Sequence, residues 1–381
     1  MSDAAIPPTA RVLIASDKFK GSLTAVEVAA HVEAGLRRVV PALTVESLPV
    51  ADGGDGTVDA AVAAGFERRA VRVTGPLGEP VEAAYALRDG TAVVEMAEAS
   101  GLRRLPPGVF APLAATTYGT GELLRAALEA GARTIVLGVG GSATSDGGAG
   151  MLSALGARLL DAQGVPVAPG GGALAALAQA DLTGLDPRLA DTEVVLAGDV
   201  DNPLLGPKGA AAVYGPQKGA SPADVAALDA ALRRYAEVLD ALAAAQSPGA
   251  GAAGGLGFGA LAGLGAVFRP GIAVLLDVLG FPDALGRADL VITGEGSLDE
   301  QTLHGKAPVG VAQAARARGL DVVAVCGRLA LPPADLGAAG IRRAYPLTDI
   351  EPDPARCMAQ AGPLLEQAAA GLARDYLLPP G

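Results

Sequence analysis

The stretch RVLIASDKFKGSLTAVEVAAHVEAGLRRV sets an apolar run, a polar loop and an amphipathic segment in that order, and the chain then repeats the order. Residues 11–16 read as a buried strand, and Ser22 to Val39 as a helix. Ser22 is its expected N-cap, and Leu23, Val26, Ala30, Val32 and Leu36 form its apolar stripe. VESLPV follows as a strand, DGGDG as a loop, TVDAAVAAG as a helix capped by Thr57, and RAVRVTG as a further strand. Strands joined through helices need crossovers, so this order predicts a parallel sheet covered by helices. The far end repeats it with ADLVITGEGS, APVGVAQAARARG, DVVAVCG, IRRAYPLTD and a closing helix from Pro354 to Tyr376. One α/β unit built from both chain ends is therefore expected over residues 1–73 and 286–381, interrupted by an inserted α/β unit over 74–285.

The insert has its own character. GPLGEPVEAAYALRDGTAVVEMAEAS alternates as hairpin strands do, and Gly119 to Gly131 reads as a short helix. RTIVLGVGGSATSDGG runs from strand into glycine loop, and the glycines at 170–172 and 249–265 mark loops or close helix contacts. At 381 residues, two domains are the natural expectation, and no repeat period divides the chain. Aromatic residues make up 3% and Trp is absent, so both cores must be built from Ala, Val and Leu. A formal net charge of −12 argues against nucleic acid and anionic membranes as partners, though local basic residues still admit a small anion. Cys326 and Cys357 make no disulfide framework, and Cys326, inside VVAVC, reads as a buried small hydrophobe. His31 reads as a structural helix residue. With no basic-then-apolar leader pattern, and with glycine breaking the uncharged stretch Ala250 to Phe268, a soluble cytoplasmic protein is expected.

Chemistry concentrates in polar loops, several of them following strands. The chain holds 24 Arg but only 5 Lys, and Lys18, Lys20, Lys208, Lys218 and Lys306 all lie beside or close to glycine. In DKFKGS, Lys18 and Lys20 point to one side of an extended chain, and with Asp17 and Ser22 they can grip an anion; the alternative is a solvated charged loop. In DGGDGT, Asp52 and Asp55 stand three apart on glycine, which suits Mg²⁺ held through water and substrate oxygens, or acceptance of a hydroxyl proton. The structural alternative there is an Asx turn capping a helix. GDVDNP offers Asp199, Asp201 and the single Asn202 of the chain, all oxygen donors. GEGSLDEQTLHGK crowds Glu295, Ser297, Asp299, His304 and Lys306 into one segment, where His304 is either a base or a surface group.

Six of the thirteen residues in GVGGSATSDGGAG, residues 138–150, are glycine. The run follows a strand and leads into a helix, so backbone N–H groups from Gly140 and Gly141 through Ser142, Thr144, Ser145 and Asp146 are expected to receive a phosphate or carboxylate. A tight turn without ligand is the plainer reading. Gly138, Gly140 and Ala143 also fit a dinucleotide fingerprint with Asp161 as its ribose acid, but that reading leaves Asp146 unexplained. No G-x-x-x-x-G-K-[ST] run, Ser-His-Asp arrangement or Cys/His cluster stands out. Lysines, hydroxyls and carboxylates on glycine loops point to phosphoryl transfer, which needs charge neutralisation, positioning and a metal rather than a dedicated nucleophile.

VLIASDKFKGSLTA, PVADGGDGT, VGGSATSDGGAG, GDVDNPLLG, YGPQKGA, GAAGGLG and ITGEGSLDEQTLHGKAP, collinear over nearly the whole chain, resemble the bacterial glycerate kinases of the glyoxylate, glucarate and galactarate routes. The resemblance implies two α/β domains, one Rossmann- or flavodoxin-like, with the site in the cleft between them. It implies ATP and Mg²⁺ dependence and D-glycerate as acceptor, giving 2-phospho-D-glycerate, and admits a homodimer. The alternatives are transfer to the 3-hydroxyl, another small hydroxy acid as acceptor, an NAD-dependent oxidoreductase, or a sugar-acid sensor without turnover. On residue chemistry the expected catalytic groups are Lys18, Lys20, Asp52, Asp55 and Asp299, with Asp52, Asp55 and Asp199 toward metal. Asp17, Ser22, Asn202, Lys218, Glu295, Ser297, His304, Lys306 and the residues of the 138–150 loop are expected to bind substrate or phosphate.

Overall fold

In the computed structural model, which describes residues 10–378 apart from the side chain of His304, thirteen strands follow the chain. They are β1 (Arg11–Ser16), β2 (Thr44–Ser47), β3 (Glu67–Thr74), β4 (Pro80–Arg88), β5 (Thr91–Glu95), β6 (Thr134–Gly138), β7 (Arg158–Leu160), β8 (Gln179–Asp181), β9 (Glu193–Gly198), β10 (Val267–Pro270), β11 (Leu290–Leu298), β12 (Asp321–Leu329) and β13 (Arg343–Pro346). The chain divides into two units. One holds the residues up to Asp52, Asp59–Ala64 and those from Ile272; the other holds Gly53–Val58 and Gly65–Gly271.

The first unit is a five-stranded sheet in the order β13-β12-β11-β1-β2, every neighbour parallel. Both chain ends build it, as the repeated strand–helix order predicts. The sequence runs outward from β1 to β2 on one side and from β11 to β13 on the other, so the direction of winding reverses between β1 and β11. In open α/β sheets that reversal opens a crevice at the carboxyl ends of the strands. The helix Ala25–Val39 packs on this sheet through Val28, Val32 and Leu36, all fully buried. Burying such a side chain contributes about 1.5–3 kcal/mol. Its cap is Thr24 rather than Ser22: the Thr24 hydroxyl accepts the Glu27 N–H at 3.2 Å, and Glu27 returns the bond to the Thr24 N–H at 2.8 Å. Ser22 sits in a tight turn instead, donating to the Phe19 carbonyl at 3.1 Å. The expected closing helix is two, Pro354–Ala359 and Ala361–Tyr376, divided at Gln360. The second of them lies against Ala25–Val39, and Gly35 permits the approach, since a Cβ there would stand 2.3 Å from the Glu366 carbonyl oxygen. His31 is structural, its Nδ1 2.8 Å from the Glu366 carboxylate.

The second unit carries a six-stranded mixed sheet, β10-β9-β6-β5-β4-β3. RAVRVTG does not join the parallel sheet of the first unit: as β3 it pairs antiparallel with β4. The reason is local, because β3, β4 and β5 follow one another through short turns. The β4–β5 turn is Asp89–Gly90, both at positive φ, as two-residue hairpins prefer. From β5 onward β6, β9 and β10 are parallel, so glycine-rich connections leave the carboxyl ends of β6 and β9. Ala252–Leu264 is helical apart from Ala253, Gly254 and Gly255, which are left-handed.

Candidate active site

In the first unit the carboxyl ends of β1, β2 and β11 bring polar side chains together. The Asp17 N–H donates to the Gly294 carbonyl at 2.9 Å, and the Leu48 and Val50 N–H groups extend the pairing along β1, bringing the chain past its end toward Asp52. Asp17 is buried, and burial together with the Asp52 charge pushes its carboxyl up to about 7. Lys18 opposes the shift, and its N–H donates to the Asp17 carboxylate at 2.7 Å. Phe19 turns into the core while Lys18 and Lys20 stay accessible, the alternation expected of an extended DKFK. Gly296 backs directly onto the Phe19–Lys20 backbone.

GEGSLDEQTLHGK is not all loop. β11 runs on to Leu298, because its pairing with β12 continues through Glu295 opposite Cys326 and Ser297 opposite Arg328. Glu295 is therefore a strand residue, buried, receiving the Thr302 hydroxyl and facing the Lys306 ammonium at 3.7 Å. Burial raises its pKa against the pull of Thr302 and Lys306. Asp299 accepts the Gln301 N–H at 3.0 Å and the Ser297 hydroxyl at 3.1 Å, and so caps the short helical turn Glu300–His304. The side chain of His304 lies outside the described residues. Sequence reasoning missed Thr302, which ties Glu295 to the Asp299 N–H. Its signal was the spacing of Asp299 and Thr302, that of a capping box.

In the second unit GGDGT, residues 53–57, is held by Glu95, which the sequence pattern did not single out. Glu95, at the carboxyl end of β5 and only 1% exposed, accepts the Gly56 N–H at 3.0 Å and the Val58 N–H at 3.4 Å. It caps the helix Thr57–Ala63 in place of Thr57, whose hydroxyl donates to the Gly54 carbonyl at 2.7 Å. Burial raises Glu95 to about 7, although Arg103 pulls the other way. Arg103 faces Glu95 at 3.2 Å and Asp55 at 3.7 Å, and also pairs with Glu98. A charged residue ending an apolar strand, TAVVE, was the available signal.

The glycines of residues 138–150 are explained first by the chain's own backbone. A Cβ at Gly140 would lie 2.4 Å from the Gly54 Cα, and one at Gly138 2.6 Å from the Gly53 carbonyl oxygen. The Gly140 N–H donates to that Gly53 carbonyl at 3.1 Å. Deeper in, the loop packs on the left-handed turn of Ala252–Leu264, where a Cβ at Gly254 would stand 1.9 Å from the Thr144 carbonyl oxygen. The expected anion seat at the following helix is filled from within: the fully buried Asp146 carboxylate accepts the Thr117 N–H at 2.8 Å and the Gly148 and Gly150 N–H groups at 3.2 Å. Burial raises the Asp146 pKa while these donors lower it. Thr144 and Ser145 are buried, with hydroxyls that meet no hydrogen-bond partner among the described residues. Lys218 is 1% exposed and donates to the Thr144 carbonyl at 2.6 Å, so it braces the loop from behind. Gly141 lies against the Asp55 carboxylate, and Ser142 pairs with Gly101. Helix Ala149–Ala154 starts too late for the dinucleotide fingerprint, and Asp161 closes a hairpin turn by accepting the Gln163 and Val165 N–H groups.

GDVDNP is also tied into its own unit. Asp199 accepts the Gly271 N–H at 3.1 Å. Asn202 donates to the Lys208 carbonyl at 2.8 Å and accepts the Tyr214 hydroxyl at 2.6 Å. Among the described residues no group of three or more His, Cys, Asp or Glu side chains could hold a metal by itself, and no helix is long and apolar enough to cross a membrane.

The sequence profile described as the glycerate kinase family matches residues 12–377. A protein named glycerate kinase from Halalkalibacterium halodurans is 47% identical over 368 residues, 95% of this chain and 97% of that one. A protein named glycerate 2-kinase from Escherichia coli strain K12 is 49% identical, covering 84% of this chain and 85% of that one. A crystal structure from Salmonella typhimurium LT2, described there as a candidate glycerate kinase 2, superposes with a TM-score of 0.84 at 44% identity, over 96% of this chain and 98% of that one.

Proposed function

The chain belongs to the glycerate kinase family, and from that premise we propose that it transfers the terminal phosphoryl group of ATP to the 2-hydroxyl of D-glycerate, with Mg²⁺. The observation that carries this reading is the cluster at the β1–β11 reversal, where Asp17, Lys18, Glu295 and Lys306 meet at the carboxyl ends of parallel strands, with the Lys20 backbone against Gly296. Charge neutralisation and positioning dominate phosphoryl transfer, and such a cluster supplies both.

In this reading Lys18 and Lys20 neutralise the transferred phosphoryl group or the glycerate carboxylate, with Lys306 beside Glu295 supporting them. Glu295, Ser297 and Asp299 shape the acceptor side. Asp52 and Asp55 orient the acceptor hydroxyl or hold Mg²⁺, with Asp199 toward the metal. Mg²⁺ on nucleotide phosphates asks the protein for only one or two carboxylates. The Asp17–Asp52 pair fits that demand, since their mutual repulsion helps to raise Asp17. When bound, the ion would neutralise phosphate charge. In the second unit, Gly141 offers backbone close to Asp55, with Gly140 against Gly54 and Ser142 paired with Gly101. Lys218 and Asp146 brace the rest of the loop, through the Thr144 carbonyl and through the Gly148 and Gly150 N–H groups.

The test is ³¹P NMR of the full chain with MgATP and D-glycerate, with L-glycerate as control. A 2-phosphoglycerate resonance from D-glycerate alone is expected. A 3-phosphoglycerate resonance would move the reacting hydroxyl, and no transfer to either enantiomer would replace the acceptor.

A further inference from the structure

The segment EMAEASGLRR, residues 95–104, belongs to none of the polar loops that carry the proposed chemistry, yet it touches two of them. The Met96 N–H donates to the Gly138 carbonyl at 3.0 Å, the Leu102 N–H to the Gly141 carbonyl at 2.9 Å, and the Ala143 N–H to the Ser100 carbonyl at 3.0 Å. Its middle is thus stitched along one side of the glycine loop. Its ends reach the DGGDGT loop: the Glu95 carboxylate takes the Gly56 and Val58 N–H groups, and the Arg103 guanidinium spans Glu95 and Asp55. Asp55 sits against Gly141, where a Cβ would stand 2.9 Å from its Oδ1.

We propose that Glu95 and Arg103 are positioning residues for phosphoryl transfer: together they fix the Asp55 carboxylate beside Gly141. The inference rests on the reading of Asp55 as a group that acts on glycerate or its metal. Arg103 suits the task because a planar fork fixes direction as well as charge, which an ammonium does not. It is 41% exposed, so the core does not depend on it. Glu95 is the converse, a buried acid whose two backbone donors define where the chain turns before Thr57. Neither residue needs to touch substrate. A displacement of about 1 Å at a group that does can lower turnover by about a hundredfold.

The experiment uses the full chain with ATP and D-glycerate, comparing wild type, Arg103→Met, Arg103→Lys, Asp55→Asn and Asp55→Asn/Arg103→Met. Arg103→Met is expected to lower kcat by about 10- to 100-fold with KM within about threefold, and Arg103→Lys to recover part of the loss. In the Asp55→Asn background the same change is expected to alter kcat by less than about twofold, because its target is already gone. A kcat within about twofold of wild type in Arg103→Met, or an equal loss in both backgrounds, overturns the proposal. A second arm does not depend on the reaction: amide hydrogen exchange over residues 53–58 should quicken in Arg103→Met and in the isosteric Glu95→Gln. If wild type transfers nothing to glycerate, the proposed reaction falls while the exchange arm still decides. Quickened exchange supports the positioning, and unchanged exchange removes it.

Discussion

Lys218 shows how far a single residue can depart from its sequence appearance. Lysine beside glycine in a chain that favours arginine suggests a hand for an anion, and Lys18 and Lys20 do stay accessible. Lys218 instead lies inside the second unit, its ammonium on the Thr144 carbonyl. Residue type and spacing are the same in both cases; which face of a loop is covered depends on chain far away, here Ala252–Leu264 and the 138–150 loop. Burial pushes the Lys218 pKa down to about 7, against the attraction of Asp146. Below about 7 the folded chain carries a desolvated charge. Between about 7 and the unfolded value of 10.5, the unfolded chain keeps a proton that the folded chain has released, so stability rises with pH across that window. Lys218→Met lacks this rise. Urea unfolding of both proteins at about pH 7 and pH 9.5 should show wild type gaining on the variant by on the order of 2 kcal/mol. A difference that stays flat would mean that the buried ammonium titrates like an exposed one.

Elements were more legible than residues, because periodicity is a local signal. The apolar runs at 11–16, 134–138 and 321–326 all became strands, but of the expected stripe only Val32 and Leu36 are buried; Val26 and Ala30 face outward, and Val28 completes the buried face instead, because the sheet lies on that side of the helix. What failed was pairing and extent. Nothing in RAVRVTG says that its partner is β4 rather than β1, and nothing in GEGSL says that β12 will keep pairing it through Leu298. Glycine shows the same division between local and distant causes within one pair of helices. At Gly35 a Cβ would meet the Glu366 carbonyl oxygen at 2.3 Å, whereas at Gly371, within Ala361–Tyr376, nothing stands within 4 Å. Gly371→Ala should therefore stabilise by about 0.5–1 kcal/mol, through helix propensity alone. Gly35→Ala should destabilise by about 1–3 kcal/mol, because backbone must move. Chemical denaturation of both variants checks the pair, and equal signs would show that the helix contact is looser than these distances imply.

For the whole molecule, the repeated strand–helix order at the two ends was enough to expect one parallel sheet made from both, and β1 beside β11 is that sheet's seam. The point of division was harder to read. Residues 65–74 belong with the inserted strands, and DGGDGT changes unit within six residues. A loop that leaves one sheet and packs on the other, through Gly53 and Gly54 against Gly138 and Gly140, carries no composition change to mark the crossing. The connectivity has a consequence for folding. β1 must wait for β11, nearly 280 positions away, whereas β3, β4 and β5 are joined by short turns and share a core with Leu123, Ile135, Leu152 and Leu256. Contacts distant in sequence carry a larger loop-closure cost and form late. Residues 53–271 expressed alone should therefore give a dispersed ¹H–¹⁵N spectrum and one cooperative urea transition, while residues 1–52 alone should give neither. The shorter piece holds β1 and β2 without β11, leaving an apolar strand edge with no partner. If residues 53–271 prove molten, the second unit does not fold as a unit of its own.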